Sequence, residues 1–283
     1  LVVHDQAFVI PRTELALPVW MTPDIAAIQK WVDRAGKLVY TAPQNAIWLG
    51  PGNYTSGQNG KQLDQKLLME QMLGYVLQTG PLTIQAETKE IYPKVDTELL
   101  TEITHKAIAH YATYFNVHND SRAHNIRLAV AAINSTVVFP GETFSFNDTV
   151  GIRSKKKGYL NAPIIVRGEL SEGIGGGICQ VSSTLFNAVD QAGLKVVMRY
   201  SHSRHVPYVL PGRDATVSWH GPDFAFRNEY NQPVIIKATV AGGGLYVSIY
   251  SSEVIRFKSK SIPPVSHALP EEQPSSEVWD KKE

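Results

Sequence analysis

The single cysteine of this chain, Cys179, is the feature that most restricts how its 283 residues can fold. One cysteine cannot form an internal disulfide, so hydrophobic burial and hydrogen bonding must hold the folded state together. The composition allows this, because 43% of the residues are hydrophobic and 19% are charged, as in folded soluble proteins. A chain of this length forms one large domain or two ordinary ones.

Charge and hydropathy restrict the partners of the chain. Lys and Arg number 27 against 26 Asp and Glu, a net charge of +1, which argues against the basic surface that nucleic-acid binding needs. No stretch has the roughly 18 to 20 apolar residues of a membrane span. The chain begins at Leu1 with "LVVHDQAFVIP", which is typical of the inside of a domain. We therefore expect that an N-terminal export or anchor segment has been removed, and that any membrane contact comes through that anchor alone.

The pattern of helices and strands predicts an α+β protein with two domains. Residues 1–100 combine short strands with two helices, at "TPDIAAIQKWVDRAG" and "DQKLLMEQMLGYVLQTG", as a small α+β unit. Residues 101–251 combine a helix at "SRAHNIRLAVAAINSTVV", a helix after Cys179 and a β-rich part from Lys195 onward. We expect the helices of this second domain to pack on a mainly antiparallel sheet. Residues 252–283 are rich in Pro, Ser and charge, and we expect a flexible tail there.

The segment "GIGGGICQVSSTLFNAVDQAG" places Cys179 where a glycine-rich loop gives way to a helix. A helix N-terminus carries free N–H groups and a partial positive charge, which stabilise a thiolate and can bind an oxyanion. The preceding glycines, Gly175, Gly176 and Gly177, permit close approach of a substrate backbone. The segment thus has the local physics of a nucleophile site. The alternative is a buried structural cysteine that packs as a small hydrophobic side chain.

A cysteine nucleophile needs a base and a group that orients the base. His202 follows Cys179 by 23 residues in a predicted strand, and Asp214 begins the next predicted strand 12 residues later. This chain order is that of transglutaminase-like and papain-like cysteine enzymes. We favour His202 over His205, because the two would lie on opposite faces of one strand and Pro207 is close to His205. The alternatives are an exposed or structurally bonded histidine and an aspartate that caps a turn.

Other chemistries have less support in the sequence. Gln180 could donate a hydrogen bond to an oxyanion beside Cys179, or it could be an ordinary polar residue of the first helical turn. No HExxH or CxxC spacing is present, so we expect no metal site. The "GIGGG" loop lacks the GK[ST] that follows a phosphate cradle, so we expect no cofactor.

Several blocks of the sequence together resemble the VanW domain. They are "RAHNIRLAVAAINSTVVFPGETFSFNDTVGIRSKKKGYLNAPIIVRGEL", "GGGICQVSSTLFNAVDQAGL", "YVLPGRDATV" with the "HS" before it, and "DFAFRNEYNQPVIIKA". The resemblance covers about residues 108–250. Residues 1 to about 100 resemble, less strongly, the peptidoglycan-binding domain that often precedes a VanW domain, at "PQNAIW", "GQNGKQLDQKLL" and "YPKV".

The VanW family is found in cell-surface proteins of Gram-positive bacteria and is associated with vancomycin resistance. The resemblance therefore implies an extracytoplasmic, membrane-anchored protein whose partner is peptidoglycan or its stem peptides. It carries over the candidate catalytic residues Cys179, His202 and Asp214. It also carries over a candidate substrate-binding set: Arg122, Asn147, Gly175, Gly176, Gly177, Gln180 and Ser182.

Two functions are consistent with these residues. In the first, Cys179 attacks an amide carbonyl of a stem peptide, His202 transfers the proton, and Asp214 holds the imidazole. In the second, both domains bind cell-wall glycopeptide without catalysis, and Cys179 is structural. Geometry separates them: a thiol within about 4 Å of a His202 ring nitrogen, with Asp214 behind the ring and an open cleft, indicates an enzyme, whereas a sealed cysteine among apolar neighbours indicates a binding module.

Overall fold

A computed structural model describes residues 1–18, 22–166 and 169–266. The α+β class expected from the sequence is confirmed, because helices alternate with sheets whose strands pair antiparallel. The chain divides into two compact units, Leu1–Leu100 and Thr101–Glu283. None of the helices within the described ranges is both long and apolar enough to cross a membrane.

The first unit packs two helices together beside short hairpins. Both helices begin at a capping aspartate: Asp24 accepts hydrogen bonds from two N–H groups of the first turn, and Asp64 accepts one. Each then buries one side at a spacing of three to four residues, and these faces form the core of the unit. The elements are β1 (Val2–Val3), β2 (Gln6–Ala7), α1 (Ile25–Val39), β3 (Trp48–Gly50), β4 (Asn53–Tyr54), β5 (Gly60–Leu63), α2 (Gln65–Leu77) and β6 (Thr88–Ile91).

The second unit carries the candidate site, and its longest strands alternate between buried and more exposed positions. Helix α3 (Thr97–Ile103) crosses the division between the units. The helices that follow are α4 (Asp120–Ile133), α5 (Phe146–Val150) and α6 (Ile178–Gln191). The strands are β7 (Lys106–Tyr114), β8 (Val137–Val138), β9 (Thr143–Ser145), β10 (Asn161–Val166), β11 (Glu169–Ile174), β12 (Lys195–Met198), β13 (Ala225–Arg227), β14 (Val234–Ala241) and β15 (Gly244–Ser251).

A four-stranded antiparallel sheet, ordered β7–β15–β14–β8, supports the two main helices of this unit. Strands β14 and β15 form a tight hairpin in which Ala241 pairs with Gly244. Helix α6 packs on β7 and β15, and α4 packs on β14 and against α6. A three-stranded sheet, ordered β12–β13–β9, and the β10–β11 hairpin complete the unit. The expected arrangement of helices on a mainly antiparallel sheet is therefore confirmed.

Helix α6 is buried on nearly every side, which explains its composition. Its apolar residues enter the main core of the second unit. Its polar residues Ser182, Ser183, Thr184 and Asn187 are fully buried as well, and each makes a hydrogen bond. Buried polar groups are tolerated only with such partners, so this helix is enclosed by chain that offers them.

Residues 252–266 pack against the second unit. Their backbone is irregular, but Ile255 is buried in the main core, and Phe257, Ile262 and Val265 pack against it. This part of the expected flexible tail is therefore a covering segment of the second unit. The rest of that tail, residues 267–283, lies outside the described residues.

Candidate active site

The N-terminus of α6 positions Cys179 as the second residue of the helix. Gly177 is the N-cap, with φ of +100° and no side chain to bond the first N–H groups. The Cys179 N–H donates to no residue in the described part of the chain, and the side chain is half-buried. A free N–H and the positive end of the helix therefore lie at the thiol.

Three glycines before Cys179 are required by close packing within the protein. A Cβ on Gly176 would lie 2.5 Å from the carbonyl oxygen of Pro163, and a Cβ on Gly177 would lie 2.9 Å from Arg122 Cγ. A Cβ on Gly175 would lie 3.3 Å from Arg153 Cβ. The Cβ side of each of these glycines therefore faces other residues of this protein, and contact between the glycines and a substrate backbone stays a prediction.

A segment of irregular backbone, residues 199–224, joins β12 to β13 and covers one side of α6. His202 and Asp214 both lie in it, which corrects the prediction that each lies in a strand. The part at 213–217 runs antiparallel to α6. Arg213 meets Asn187, Ala215 meets Ser183, and Val217 reaches Cys179, as the segment proceeds towards the helix start.

Two serine hydroxyls of α6 fix this segment at the residue next to Asp214. The Ala215 N–H donates to Ser183 Oγ at 2.9 Å, and the Ser182 hydroxyl donates to the Ala215 carbonyl. Ser183 also donates to the Cys179 carbonyl at 2.7 Å. Both main-chain groups of Ala215 are thereby tied to the first turn of the helix that carries the thiol.

The structure brings Cys179, His202 and Asp214 together. The His202 Nδ1 lies 2.6 Å from Asp214 Oδ2, and the ring is close enough to the Cys179 thiol for each group to shift the pKa of the other. The His202 main-chain N–H donates to the same oxygen at 2.6 Å. Because Nδ1 is engaged by the carboxylate, Nε2 is the nitrogen available to the sulfur. The side chains of His202 and Asp214 are 7% and 9% exposed, so little water screens these contacts.

Arg199 fixes the aspartate from the far side. Its Nε donates to the Asp214 carbonyl at 2.7 Å, and its Nη2 donates to the Gly212 carbonyl at 2.7 Å. The same Nη2 lies 3.8 Å from Asp214 Oδ1. The guanidinium stacks 4.5 Å from the centre of the Phe186 ring. The Asp214 carboxylate is thus held between an imidazole and a guanidinium.

Electrostatics favour a charged pair at the thiol and the imidazole. Burial alone raises the pKa of the Cys179 thiol, but the hydrogen bond and positive charge of His202 outweigh it and lower the pKa below its ordinary value. Burial alone lowers the pKa of His202, but the bonds and charges of Cys179 and then Asp214 outweigh it and raise the pKa. Both shifts favour thiolate beside imidazolium, the reactive form of a cysteine nucleophile.

His205 takes no part in this arrangement. Its residue is exposed, whereas the His202 side chain is buried against the thiol and the carboxylate. The choice of His202 over His205 therefore agrees with the geometry, although the two do not alternate across a strand as expected.

Gln180 and Arg122 hold helices together. The Gln180 side chain is fully buried, its Nε2 donates to Thr113 Oγ1 and the Tyr114 carbonyl, and its Oε1 accepts from Arg122 Nη2 at 2.7 Å. Gln180 thus has no donor left for an oxyanion or a substrate. The aliphatic part of Arg122, on α4, packs against Gly177, and its guanidinium links α4 to α6 through the hydrogen bond to Gln180. The structure gives both side chains positioning contacts in place of the expected substrate contacts.

Ser182 and Asn147 are the other two candidate substrate-binding side chains. Ser182 is fully buried and its hydroxyl is used within the protein, so it cannot reach a substrate. The Asn147 amide donates to the carbonyls of Ser218 and Pro222, next to the Val217 carbonyl that lies 3.5 Å from the Cys179 sulfur. Its Oδ1 is buried and accepts no hydrogen bond from the described residues.

Several side chains of the site were not anticipated from the sequence. Thr216 Oγ1 lies 3.8 Å from the Cys179 sulfur. Tyr208 lies near Ser183, and burial, followed by the negative charge of Cys179, raises the pKa of its hydroxyl well above the ordinary value, so it stays neutral. The run of hydroxyl residues after Cys179 on a helix with an apolar face is the one sequence signal for such buried partners.

No group of three or more His, Cys, Asp or Glu residues that could hold a metal ion occurs in residues 1–18, 22–166 or 169–266.

Comparison with known proteins places the chain in a family. Residues 121–250 match the family described as VanW like protein. The uncharacterized protein YoaR of Bacillus subtilis (strain 168) is 51% identical over 265 residues, which cover 93% of this chain and 88% of that protein. The vancomycin B-type resistance protein VanW of Enterococcus faecalis (strain ATCC 700802 / V583) is 31% identical over 132 residues, 44% of this chain and 47% of that protein.

The chain belongs to the VanW-domain family. It matches YoaR over nearly its whole length, whereas its match to VanW covers less than half of either chain. No solved structure matches the chain. A transglutaminase-like or papain-like fold therefore stays a prediction from chain order.

Proposed function

We propose that this protein is a cysteine-dependent enzyme that transfers or hydrolyses the acyl group of an amide in peptidoglycan stem peptides. The observation that carries the proposal is the His202 ring, whose Nδ1 lies 2.6 Å from the Asp214 carboxylate and which is close enough to the Cys179 thiol to lower its pKa. This is the arrangement of nucleophile, base and orienting acid that activates cysteine in acyl transfer. A cysteine that serves only packing has no need of it.

The reaction divides into two balanced steps. In the first, the Cys179 thiolate attacks the amide carbonyl, the C–N bond breaks, and the His202 imidazolium gives its proton to the leaving amine. The product is a thioester on Cys179, and the free Cys179 N–H is available to the oxyanion that forms on the way. In the second, His202 takes a proton from water or from an acceptor amine, which attacks the thioester and releases the thiolate. Water gives hydrolysis, and an amine gives a new cross-link.

The substrate class rests on the family. The related enterococcal protein is a vancomycin B-type resistance protein by name, and the resemblance to the VanW family implies a protein of the Gram-positive cell surface. We infer the same extracytoplasmic location for this chain, with peptidoglycan or its stem peptides as partner and an N-terminal anchor in the full-length protein. Residues 1–100 are then a peptidoglycan-binding domain and residues 101–251 the catalytic domain.

The test is incubation of the purified protein with soluble muropeptides and with intact cell walls from a Gram-positive bacterium, followed by liquid chromatography and mass spectrometry. We expect shortened or cross-linked stem peptides with the wild-type chain and none with Cys179→Ala. An acyl adduct on Cys179 should accumulate when acceptor is limiting. Binding to cell walls that is equal in both proteins, without any product from the wild type, would instead support a non-catalytic binding module.

A further inference from the structure

Arg153 is a second polar side chain of the site whose chemistry the proposed reaction does not use. It lies in the loop between α5 and the turn Lys155–Lys157. Its Nη1 and Nη2 are buried and have no hydrogen-bond partner among the described residues. Nη1 and Nη2 carry four of the five N–H donors of the guanidinium, and burying donors unbonded costs free energy, so these two nitrogens indicate a site for a ligand.

Its stem is packed against the loop that leads into α6. The Cβ and Cγ of Arg153 lie 3.3 and 3.4 Å from the position that a Cβ on Gly175 would take, and the Gly175 carbonyl accepts a hydrogen bond from Ile178. On another side, the guanidinium carbon lies 5.8 Å from the centre of the Phe146 ring. The head of Arg153 is therefore held close to the start of the helix that carries Cys179, whose charge it feels.

The nearest carboxylate does not neutralise this cation. Asp223 lies close enough to interact with Arg153 through its charge. However, its Oδ2 accepts from the Ser145 hydroxyl at 2.6 Å, and its Oδ1 accepts from the main-chain N–H groups of Asn147 and Phe224. These bonds hold Asp223 in the loop, and it forms neither a hydrogen bond nor an ion pair with the Arg153 nitrogens.

We propose that Arg153 binds a carboxylate of the acyl donor and thereby positions the neighbouring amide over Cys179. The inference rests on the proposed function and narrows its substrate class to peptides with a free carboxylate close to the bond that is attacked. A planar guanidinium with both terminal nitrogens unbonded matches the two oxygens of a carboxylate. Its burial strengthens the contact, because little water competes for the donors.

The test compares two alkylating reagents that differ in charge. Iodoacetate carries a carboxylate and iodoacetamide is its neutral counterpart, so the ratio of their rates with Cys179 reports an anion site beside the thiol. We expect this ratio to exceed that of a free thiol such as glutathione by about tenfold, the scale of one charge-assisted hydrogen bond. Arg153→Gln should lower the ratio to that of glutathione without slowing iodoacetamide to the same extent, and Arg153→Lys should give an intermediate value.

Arg204→Gln is the matched control. Arg204 is exposed on the segment that carries His202, and this variant removes the same charge from the chain. Its ratio should stay within twofold of wild type. A ratio in Arg153→Gln equal to wild type overturns the role of Arg153 while leaving a reactive thiol and the proposed function intact. Slow reaction of wild-type Cys179 with both reagents contradicts the proposed function itself.

A measurement on the wild-type chain covers the case in which Arg153→Gln fails to fold. Acetylglycine has a free carboxylate and acetylglycinamide does not. We expect acetylglycine at millimolar concentration to protect Cys179 from iodoacetamide, and acetylglycinamide at the same concentration to protect it at least fivefold less. Equal protection, or none by either compound, contradicts a carboxylate site at Arg153.

Discussion

Asp214 shows how much of the site depends on one side chain. Its Oδ2 accepts hydrogen bonds from both the main chain and the ring of His202, so it sets the loop conformation and the ring orientation together. Burial alone raises the pKa of this carboxyl, but the bonds and charge of His202 outweigh it and lower the pKa. The carboxylate therefore stays ionised wherever the thiolate does, and it stabilises the imidazolium.

Asp214→Asn should weaken both the loop conformation and the orientation of the His202 ring. We expect iodoacetamide to alkylate Cys179 about tenfold more slowly at pH 7, because the imidazolium loses its charged partner. The free energy of unfolding should fall by about 1–3 kcal/mol at pH 7, as for a lost buried hydrogen bond to a charged group. Rates by mass spectrometry and urea unfolding provide the measurements.

The stability difference should depend on pH with a defined sign. A carboxyl whose native pKa is lowered contributes stability above its unfolded pKa of about 3.9, and this contribution is lost as the pH falls through the native pKa. The gap between wild type and Asp214→Asn should therefore shrink as the pH falls below about 4. A gap that widened towards acid pH would contradict an ionised Asp214.

At the scale of single residues, the sequence indicates which residues form the candidate site better than it indicates what each polar side chain around that site contacts. Cys179, His202 and Asp214 could be proposed because each type has a known chemistry and their order is restrictive. Gln180 and Ser182 could not be assigned correctly, since whether a polar side chain faces a substrate or a neighbouring strand depends on packing. No pattern in the sequence pointed to Arg153, because only the folded chain determines whether the Nη1 and Nη2 of an arginine find hydrogen-bond partners.

Helix α6 and the segment at 213–217 form the element pair on which the site is built. The helix was predictable from its apolar spacing and its glycine boundaries. The segment was not, because its alternating residues in "DATVSW" satisfy a strand pattern while its main chain bonds to side chains of α6. Its backbone partners are hydroxyl groups instead of a neighbouring strand.

Gly177 sets the start of α6, and its replacement should be costly for two separate reasons. Gly177→Ala combines a positive φ of +100° with a contact of 2.9 Å to Arg122 Cγ. Gly212→Ala is the matched control, since its φ is +73° and no atom lies within 4 Å of the added Cβ. We expect about 1–2 kcal/mol of destabilisation from backbone strain in the control and roughly 1–3 kcal/mol more in Gly177→Ala. Equal losses in urea unfolding would show that the contact with Arg122 is relieved without cost.

At the scale of the whole chain, composition and pattern predicted the α+β class and the antiparallel sheet, and the family resemblance located the second unit. The end of that unit was harder to place. Residues 252–266 are rich in Ser, Pro and charge, which is typical of a linker, yet a few apolar side chains dock on the core. Composition averages over such a segment, whereas docking depends on single residues such as Ile255.

Ile255→Ala tests whether this covering segment belongs to the fold. Ile255 is 6% exposed within the core, whereas its neighbour Val254 is 66% exposed. We expect the first substitution to lower the free energy of unfolding by about 2–3 kcal/mol, and Val254→Ala to change it by less than about 0.5 kcal/mol. Thermal or urea unfolding of the full chain measures both effects. Similar small effects from the two variants would show that the segment is a linker that does not stabilise the fold.

The central claim is that Cys179 is an activated nucleophile, and the rate of its alkylation by iodoacetamide against pH tests that claim most directly. In the wild-type chain we expect fast labelling with an apparent thiol pKa well below the ordinary value of about 8.5, because the imidazolium of His202 stabilises the thiolate. His202→Ala should raise that pKa and slow labelling at pH 7 by about tenfold or more, while His205→Ala leaves the profile unchanged. A cysteine that reacts only after the protein is unfolded, or whose pH profile is the same in His202→Ala, would contradict the account and leave Cys179 as a structural residue.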